Sequence, residues 1–239
     1  MAKLTVVRHG QASFLAENYD QLSELGQRQS LLLAEHWIES GERFDRVYVG
    51  PRQRQRHTYE IVAERCRRAG IAFPEAELIE DLDEYPAEPV VRTFAPVLME
   101  RHAHLRAWGE EFQTSPDLER KKKALDRVIQ EVTARWLEGE VEDPALGTWD
   151  SFCARVHRAV ERARRETPKG GSAALFTSGG PSAAAAQLAL GLSPRKTLDL
   201  TWMTYNAAFA EYLFDEERFN LSRFNATPHL AGDGLLTYR

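Results

Sequence analysis

The sequence has 239 residues, a formal net charge of -5 and 43% apolar residues, enough for one large α/β domain or two small ones. Its acidic balance, with a pI near 5.9, argues against a general nucleic-acid binder, which carries a basic excess, but leaves room for a local basic pocket. The two cysteines, Cys66 and Cys153, are too few for a disulfide framework or a cysteine metal site and read as buried thiols. The opening Met1-Ala2-Lys3-Leu4-Thr5-Val6-Val7 meets Arg8 too early for a signal peptide. No segment has the ~20 apolar residues of a membrane span. The default expectation is therefore a cytoplasmic protein with neither membrane nor nucleic acid as a partner.

Leu4 to Val7 predicts a short buried strand, followed by a polar loop from Gly10 to Gln21. Ser23 is a suitable N-cap for a helix reaching about Ser40, with Leu25, Leu32, Leu33 and Trp37 as its apolar stripe and Gly41 as its end. Phe44 to Val49 reads as a second strand. Gly50-Pro51 then turns into a helix through Ala69, with Thr58, Val62, Cys66 and Ala69 on one face, and Ile71 to Ile79 holds a third strand. Residues 86–148 differ. Pro86, Pro89 and Pro96 break their early part, and two helices are expected, one carrying Phe94, Leu98, Leu105, Trp108 and Phe112 and the other Leu125 to Trp136. Such an insertion beside a sheet serves either as plain packing or as a wall or lid over a site.

A further amphipathic helix runs from Trp149 through Ala163, and Ala173 to Thr177 is a buried strand. Ser178-Gly179-Gly180 turns into a helix from Pro181 to about Leu190, with proline at the favoured first position. Ala207 to Phe214 and Phe219 to Asn225 form a hairpin across Asp215-Glu216-Glu217. Alternating strands and helices predict a three-layer α/β/α sandwich with a mostly parallel sheet, an edge hairpin and a helical insertion. The chain is expected to be one domain over residues 1–239.

Ligands of parallel α/β sheets bind at the carboxyl ends of the strands. Arg8-His9-Gly10, Gly50-Pro51, Asp81 to Glu84 and Ser178-Gly179-Gly180 all follow predicted strands and line one mouth. Arg8, His9 and Arg54 concentrate donors and positive charge there. The Gly179 and Gly180 amides open a helix, whose N-terminus favours an anion. Gln11 and Ser13 could reach the same anion from the first loop. Together these residues predict a phosphate or carboxylate ligand. The Arg120 to Lys123 run, Arg52 and Arg56 read as solvated helix faces.

The same segments resemble the histidine phosphatase superfamily, the phosphoglycerate mutase-like fold. The resemblance is carried by Arg8-His9-Gly10, by Leu22-Ser23-Glu24-Leu25-Gly26-Gln27-Arg28-Gln29 and by Gly50-Pro51-Arg52-Gln53-Arg54 with Thr58. Leu82-Asp83-Glu84 and Asn225-Ala226-Thr227-Pro228-His229-Leu230 complete it. It covers most of the chain except residues 86–148. It implies a metal-independent phosphomonoester hydrolase acting on a small phosphorylated substrate with no cofactor. His9 would be the nucleophile, Arg8 and Arg54 would hold the phosphoryl oxygens, and Glu84 would act as the general acid and base.

Two positions depart from the pattern. Ser178 stands where the family carries its second catalytic histidine, and Gly50 replaces a usual serine. Exchanging a charge-assisted hydrogen bond of roughly 1.5–3 kcal/mol for a neutral one would slow the reaction about ten- to a hundredfold. Reduced turnover is the expectation. Ser178 also suits a plain helix N-cap. The competing readings are a phosphate-ligand binding or regulatory protein without turnover, a mutase-type phosphotransferase, and a magnesium-dependent phosphatase with an aspartate nucleophile in Asp81-Leu82-Asp83. The natural substrate and the oligomeric state are open at this point.

Overall fold

The computed structural model describes residues 1–13 and 20–238, so part of the expected Gly10–Gln21 loop lies outside the described residues. Two compact units are present: one combines Met1–Glu84 with Cys153–Arg239, and the other is Tyr85–Phe152.

In the first unit, six strands form one sheet. They are β1 (Ala2–Arg8), β2 (Arg46–Val49), β3 (Ala76–Leu78), β4 (Ser172–Thr177), β5 (Phe209–Phe214) and β6 (Phe219–Ala226), in the order β3-β2-β4-β1-β5-β6. β3, β2, β4 and β1 are parallel. β5 pairs antiparallel with β1 and continues into β6 as the edge hairpin. The expected sheet is present, with β1 central. Arg8 belongs to β1 itself, paired with Thr177, rather than following the strand.

One face of this sheet carries α1 (Glu24–Ser40) and α2 (Gln53–Arg68). Val7, Trp37, Val62, Ala174, Phe176 and Phe209 meet in the core between them. The side chains of a strand alternate between faces, so Leu4, Val6 and Leu175, all buried, turn to the opposite side. There α6 (Trp149–Glu166) and α7 (Gly179–Leu190) lie. Glu166 of α6 accepts a hydrogen bond from the Tyr48 hydroxyl at 2.8 Å, and α7 packs on β1.

Several local expectations change. Ser23 does cap α1, its hydroxyl accepting from the Gly26 N–H, and Gly41 ends it in the left-handed region (φ 72°). Its buried face, however, is Gly26, Gln29, Ser30, Leu33, Ala34 and Trp37, whereas Leu25 and Leu32 are only half-buried. Polar Gln29 enters the core because both ends of its amide are bonded: Oε1 accepts from the Gln11 N–H, and Nε2 donates to the Leu235 carbonyl. Ala69 is exposed beyond the end of α2. α7 starts at Gly179, so Pro181 is its third residue rather than its first. Its missing N–H still falls among the four that have no intrahelical acceptor. α8 (Pro194–Met203), capped by Ser193, has a weak apolar pattern and was not expected.

In the second unit, three helices replace the expected two: α3 (Ala87–Arg101), α4 (Ala103–Thr114) and α5 (Leu118–Leu137). Extended backbone at His102 (φ -123°, ψ 109°) separates α3 from α4. Pro96 lies inside α3, so the prolines do not break this helix. Pro89 falls in its first turn, where no N–H is required.

One close approach joins the end of β1 to the start of α1. A Cβ on Gly10 would lie 2.3 Å from the Gly26 carbonyl oxygen, and one on Gly26 would lie 2.1 Å from the Gln11 oxygen. The two glycines let the backbones touch. Alanine inside a helix normally gains about 1 kcal/mol over glycine, but forced overpacking costs about 1–3 kcal/mol or more, and the clash here is with unyielding backbone. Gly26→Ala is therefore expected to lower unfolding stability despite its better helix propensity. Denaturant unfolding of the variant checks this, and a gain in stability would refute the close packing.

Candidate active site

β1 delivers Arg8 and His9 to opposite sides of the sheet end, as strand alternation requires. The His9 backbone is held on both flanks: its N–H donates to the Thr177 carbonyl at 2.9 Å, and its carbonyl accepts from the Ala207 N–H at 3.0 Å. Ala207 adopts φ 56° to do so, a conformation costly for a residue with a Cβ.

The His9 ring is buried. Its Nδ1 lies 2.7 Å from the Gly10 carbonyl oxygen, which can only accept, so Nδ1 carries the proton. Its Nε2 lies 3.0 Å from Arg54 Nε, which can only donate, so Nε2 presents its lone pair. Burial, followed by the charges of Arg54 and Arg8, holds the His9 pKa well below the usual imidazole value. His9 is thus a neutral imidazole in a fixed tautomer, which is the form a nitrogen nucleophile needs.

α2 supplies Arg54 from its first turn. The Thr58 hydroxyl, one turn on, donates to the Arg54 carbonyl at 2.8 Å and accepts from the Gly10 N–H at 3.1 Å. This contact ties the loop after β1 to the helix that carries Arg54. Arg54 Nη1 also pairs with Asp20 at 2.7 Å, and the second Asp20 oxygen accepts from the Gln53 N–H, the first of α2. Asp20 was not among the expected residues, because an acidic side chain in a loop gives no sign of its partner.

Arg8 turns to the other side. Its Nη1 donates to the Thr204 carbonyl and its Nη2 to the Tyr238 carbonyl, the latter at 2.7 Å. Its guanidinium carbon is 3.6 Å from the point where a Gly179 Cβ would stand, so the glycine backbone lies alongside the charge. Glu84 reaches the same helix terminus, its Oε2 accepting from the Gly180 N–H at 3.1 Å. The segment bearing Glu84 is clamped by Arg155, which donates to the carbonyls of Asp81, Asp83 and Glu84. Arg155, on α6, was not among the expected residues.

Ser178 is fully buried and occupies the N-cap position of α7, but its side chain makes no capping hydrogen bond. The hydroxyl instead accepts from Gln55 Nε2 at 2.7 Å. Gln11 and Ser13 lie where the first loop begins. The Gln11 side-chain oxygen accepts from the Ser23 hydroxyl, and the Ser13 N–H donates to the Gln21 carbonyl.

Three histidines elsewhere in the chain are engaged by other partners. His157 bonds the Ala184 carbonyl, while His102 and His104 pair with Glu140 and Glu131. Arg52 pairs with Asp83, and Arg158 with Asp81. Arg52 is therefore not merely solvated, and both carboxylates of the Asp81-Leu82-Asp83 candidate are bound to arginines. Among the described residues, no group of three or more His, Cys, Asp or Glu side chains is arranged to hold a metal. No helix among them is long and apolar enough to cross a membrane.

A mostly parallel sheet thus carries a buried, arginine-flanked histidine at the end of a central strand, with a helix N-terminus alongside. The profile of the histidine phosphatase superfamily (branch 1) matches residues 4–139 and 117–227, and the chain belongs to that superfamily of phosphatase-type enzymes. Its fold is that of several solved structures. Phosphoserine phosphatase from Entamoeba histolytica, in complex with 3-phosphoglyceric acid, is 18% identical, with 96% of this chain and 100% of that one covered and a TM-score of 0.62. Phosphoglycerate mutase from Bacillus anthracis str. Sterne is 16% identical, with 95% and 94% covered and a TM-score of 0.62. YhfR from Bacillus stearothermophilus is 16% identical, with 96% and 99% covered and a TM-score of 0.63. No curated protein matches the chain in sequence.

The depressed His9 pKa has a direct test. Folding favours the neutral ring, so protonation is delayed to a pH well below 6.5, and the stability tied to the neutral ring is lost progressively as pH falls from 6.5 to that lower value. Ring NMR of labelled His9 should show the Nδ1–H tautomer unchanged from pH 8 to 6.5. A midpoint at or above 6.5 would contradict the assignment.

Proposed function

We propose that the chain is a metal-independent phosphomonoester hydrolase in which His9 Nε2 is the nucleophile. The observation carrying this reading is the bonding of the His9 ring, with a carbonyl acceptor on Nδ1 and an arginine donor on Nε2. The Nε2 lone pair attacks phosphorus, the ester P–O bond breaks, and Glu84 gives its proton to the leaving oxygen. Water then attacks the phosphohistidine, Glu84 takes a proton from it, the P–N bond breaks and orthophosphate leaves. Dividing one displacement into two in this way is the gain of covalent catalysis.

Arg54 and Arg8 hold the non-bridging oxygens, with Ser178 and the Gly179 amide adding donors and Gln11 and Ser13 completing the set from the first loop. Positioning and charge compensation carry most of the rate in phosphoryl transfer. Arg54 already bonds both the nucleophile and Asp20, so an incoming phosphate competes with the Asp20 carboxylate for it. Residues 1–239 are read as one catalytic domain with the 86–148 helices inserted in it, and the protein as cytoplasmic. The E. histolytica phosphatase was solved with 3-phosphoglyceric acid, which supports a small phosphorylated acid as the substrate class.

A second reading, phosphate-ligand binding without turnover, is favoured by one observation: both terminal nitrogens of Arg8 donate to backbone carbonyls. Mutase-type phosphoryl transfer ranks below hydrolysis. Hydrolysis of an aryl phosphate in chelator, wild type against His9→Ala, separates these readings. Turnover in chelator that falls by at least a thousandfold in His9→Ala is expected. Unchanged activity in His9→Ala removes the nucleophile, strict magnesium dependence removes the metal-independent mechanism, and phosphate binding without hydrolysis favours the second reading.

A further inference from the structure

Gln55 of α2 is fully buried and takes no part in the chemistry above. Its amide is oriented without ambiguity. Oε1 accepts from the Arg52 N–H at 3.0 Å, and Nε2 faces two oxygens, the Leu82 carbonyl at 3.3 Å and the Ser178 hydroxyl at 2.7 Å. Exchanging the two ends would set the amide oxygen against a carbonyl and the NH2 group against an N–H, so the end facing Ser178 is the donor.

A hydroxyl that accepts from Gln55 must point its own proton elsewhere. Among the described residues no acceptor takes that proton; the Ser178 hydroxyl bonds Gln55 alone. It sits one residue past Thr177, whose carbonyl receives the His9 N–H, and one residue before the glycine lying beside Arg8. We propose that Gln55 is a positioning residue that locks the Ser178 hydroxyl as a hydrogen-bond donor to the phosphoryl group, and that Gly50 is glycine to make room for it. The proposal rests on the hydrolase reading of the same pocket.

Gly50 supplies an independent observation. Its φ is not positive, so the backbone does not require glycine. The space does: a Cβ there would meet Gln55 Oε1 at 2.2 Å and the Leu82 carbonyl oxygen at 2.9 Å. Thr177 also donates to the Leu82 carbonyl, at 2.7 Å, so the position of that oxygen is fixed from a second side. The amide, the glycine and the serine form one unit. A neutral donor aimed at the phosphoryl oxygens still strengthens as charge develops there, although less than a cation would.

The test uses Ser178→Ala, Gln55→Met and the double variant, together with Gly50→Ala. The readouts are orthophosphate affinity by calorimetry, kcat and KM for an aryl phosphate, and a melting curve. Ser178→Ala removes no helix cap, so its fold should persist. It is expected to weaken orthophosphate binding about tenfold and to lower kcat more than it raises KM. Gln55→Met and Gly50→Ala should each weaken binding several-fold, and the double variant should match Ser178→Ala alone, because Gln55 acts through the hydroxyl.

Where Gln55→Met does not fold, Gln55→Glu keeps the acceptor for the Arg52 N–H. Its ionised carboxylate turns the serine proton inward, so binding falls to the Ser178→Ala level and recovers at low pH as the introduced carboxyl becomes a donor. In the Ser178→Ala background that pH dependence should vanish. Wild-type orthophosphate affinity in Ser178→Ala, or single losses that multiply in the double variant, overturn the proposal. Wild type that binds orthophosphate in this pattern without hydrolysis removes the hydrolase reading and keeps the positioning role. Hydrolysis with multiplying losses does the reverse, and no orthophosphate binding by wild type overturns both.

Discussion

The bonding of the His9 ring is the constraint on which the rest of the site depends. A buried imidazole between two arginines resists protonation, because charging it would cost desolvation and add like-charge repulsion. A neutral ring still has two tautomers, and the Gly10 carbonyl selects one by accepting from Nδ1. Arg54 then meets the lone pair on the far side. In the proposed mechanism, the same guanidinium that keeps the ring neutral also receives the charge of an incoming phosphate.

Much of the surrounding architecture follows from holding that ring still. Gly10, whose carbonyl meets Nδ1, also packs its backbone closely against Gly26, and Thr58 fastens the same glycine's N–H to the turn carrying Arg54. Ala207 accepts a strained backbone to close the other flank of His9. On the opposite side Arg155 gathers three carbonyls of the segment bearing Glu84, so the carboxylate reaches the N-terminus of α7 from a fixed base. These contacts are mainly to backbone, which gives them geometry independent of side-chain rotamers.

The sheet, its order of elements and the strand-end segments were legible in the sequence because they rest on local patterns: apolar runs, a Ser23 cap, and glycines at turns. What was not legible is what depends on distant partners. Gln29 and Gln55 look like surface residues until each finds bonds for both ends of its amide in the core. Arg155 and Asp20 resemble solvated charges for the same reason. His102 splits one apparently continuous helical pattern into α3 and α4, and no local signal marks that change of direction. Ser178 departs visibly from the family pattern, but its partner Gln55 has no local signature, and only the collision a Cβ at Gly50 would make with Gln55 connects the two departures.

The most direct measurement is the site of phosphorylation on His9. Wild-type protein would be quenched in alkali during turnover of a labelled phosphate ester, and the intermediate examined by phosphorus–nitrogen NMR and peptide mass spectrometry. The ring bonding predicts phosphoryl on Nε2 of His9, with Nδ1 still protonated. Phosphoryl on Nδ1, on a carboxylate or on Ser178, or turnover with no phosphohistidine formed at all, would contradict it.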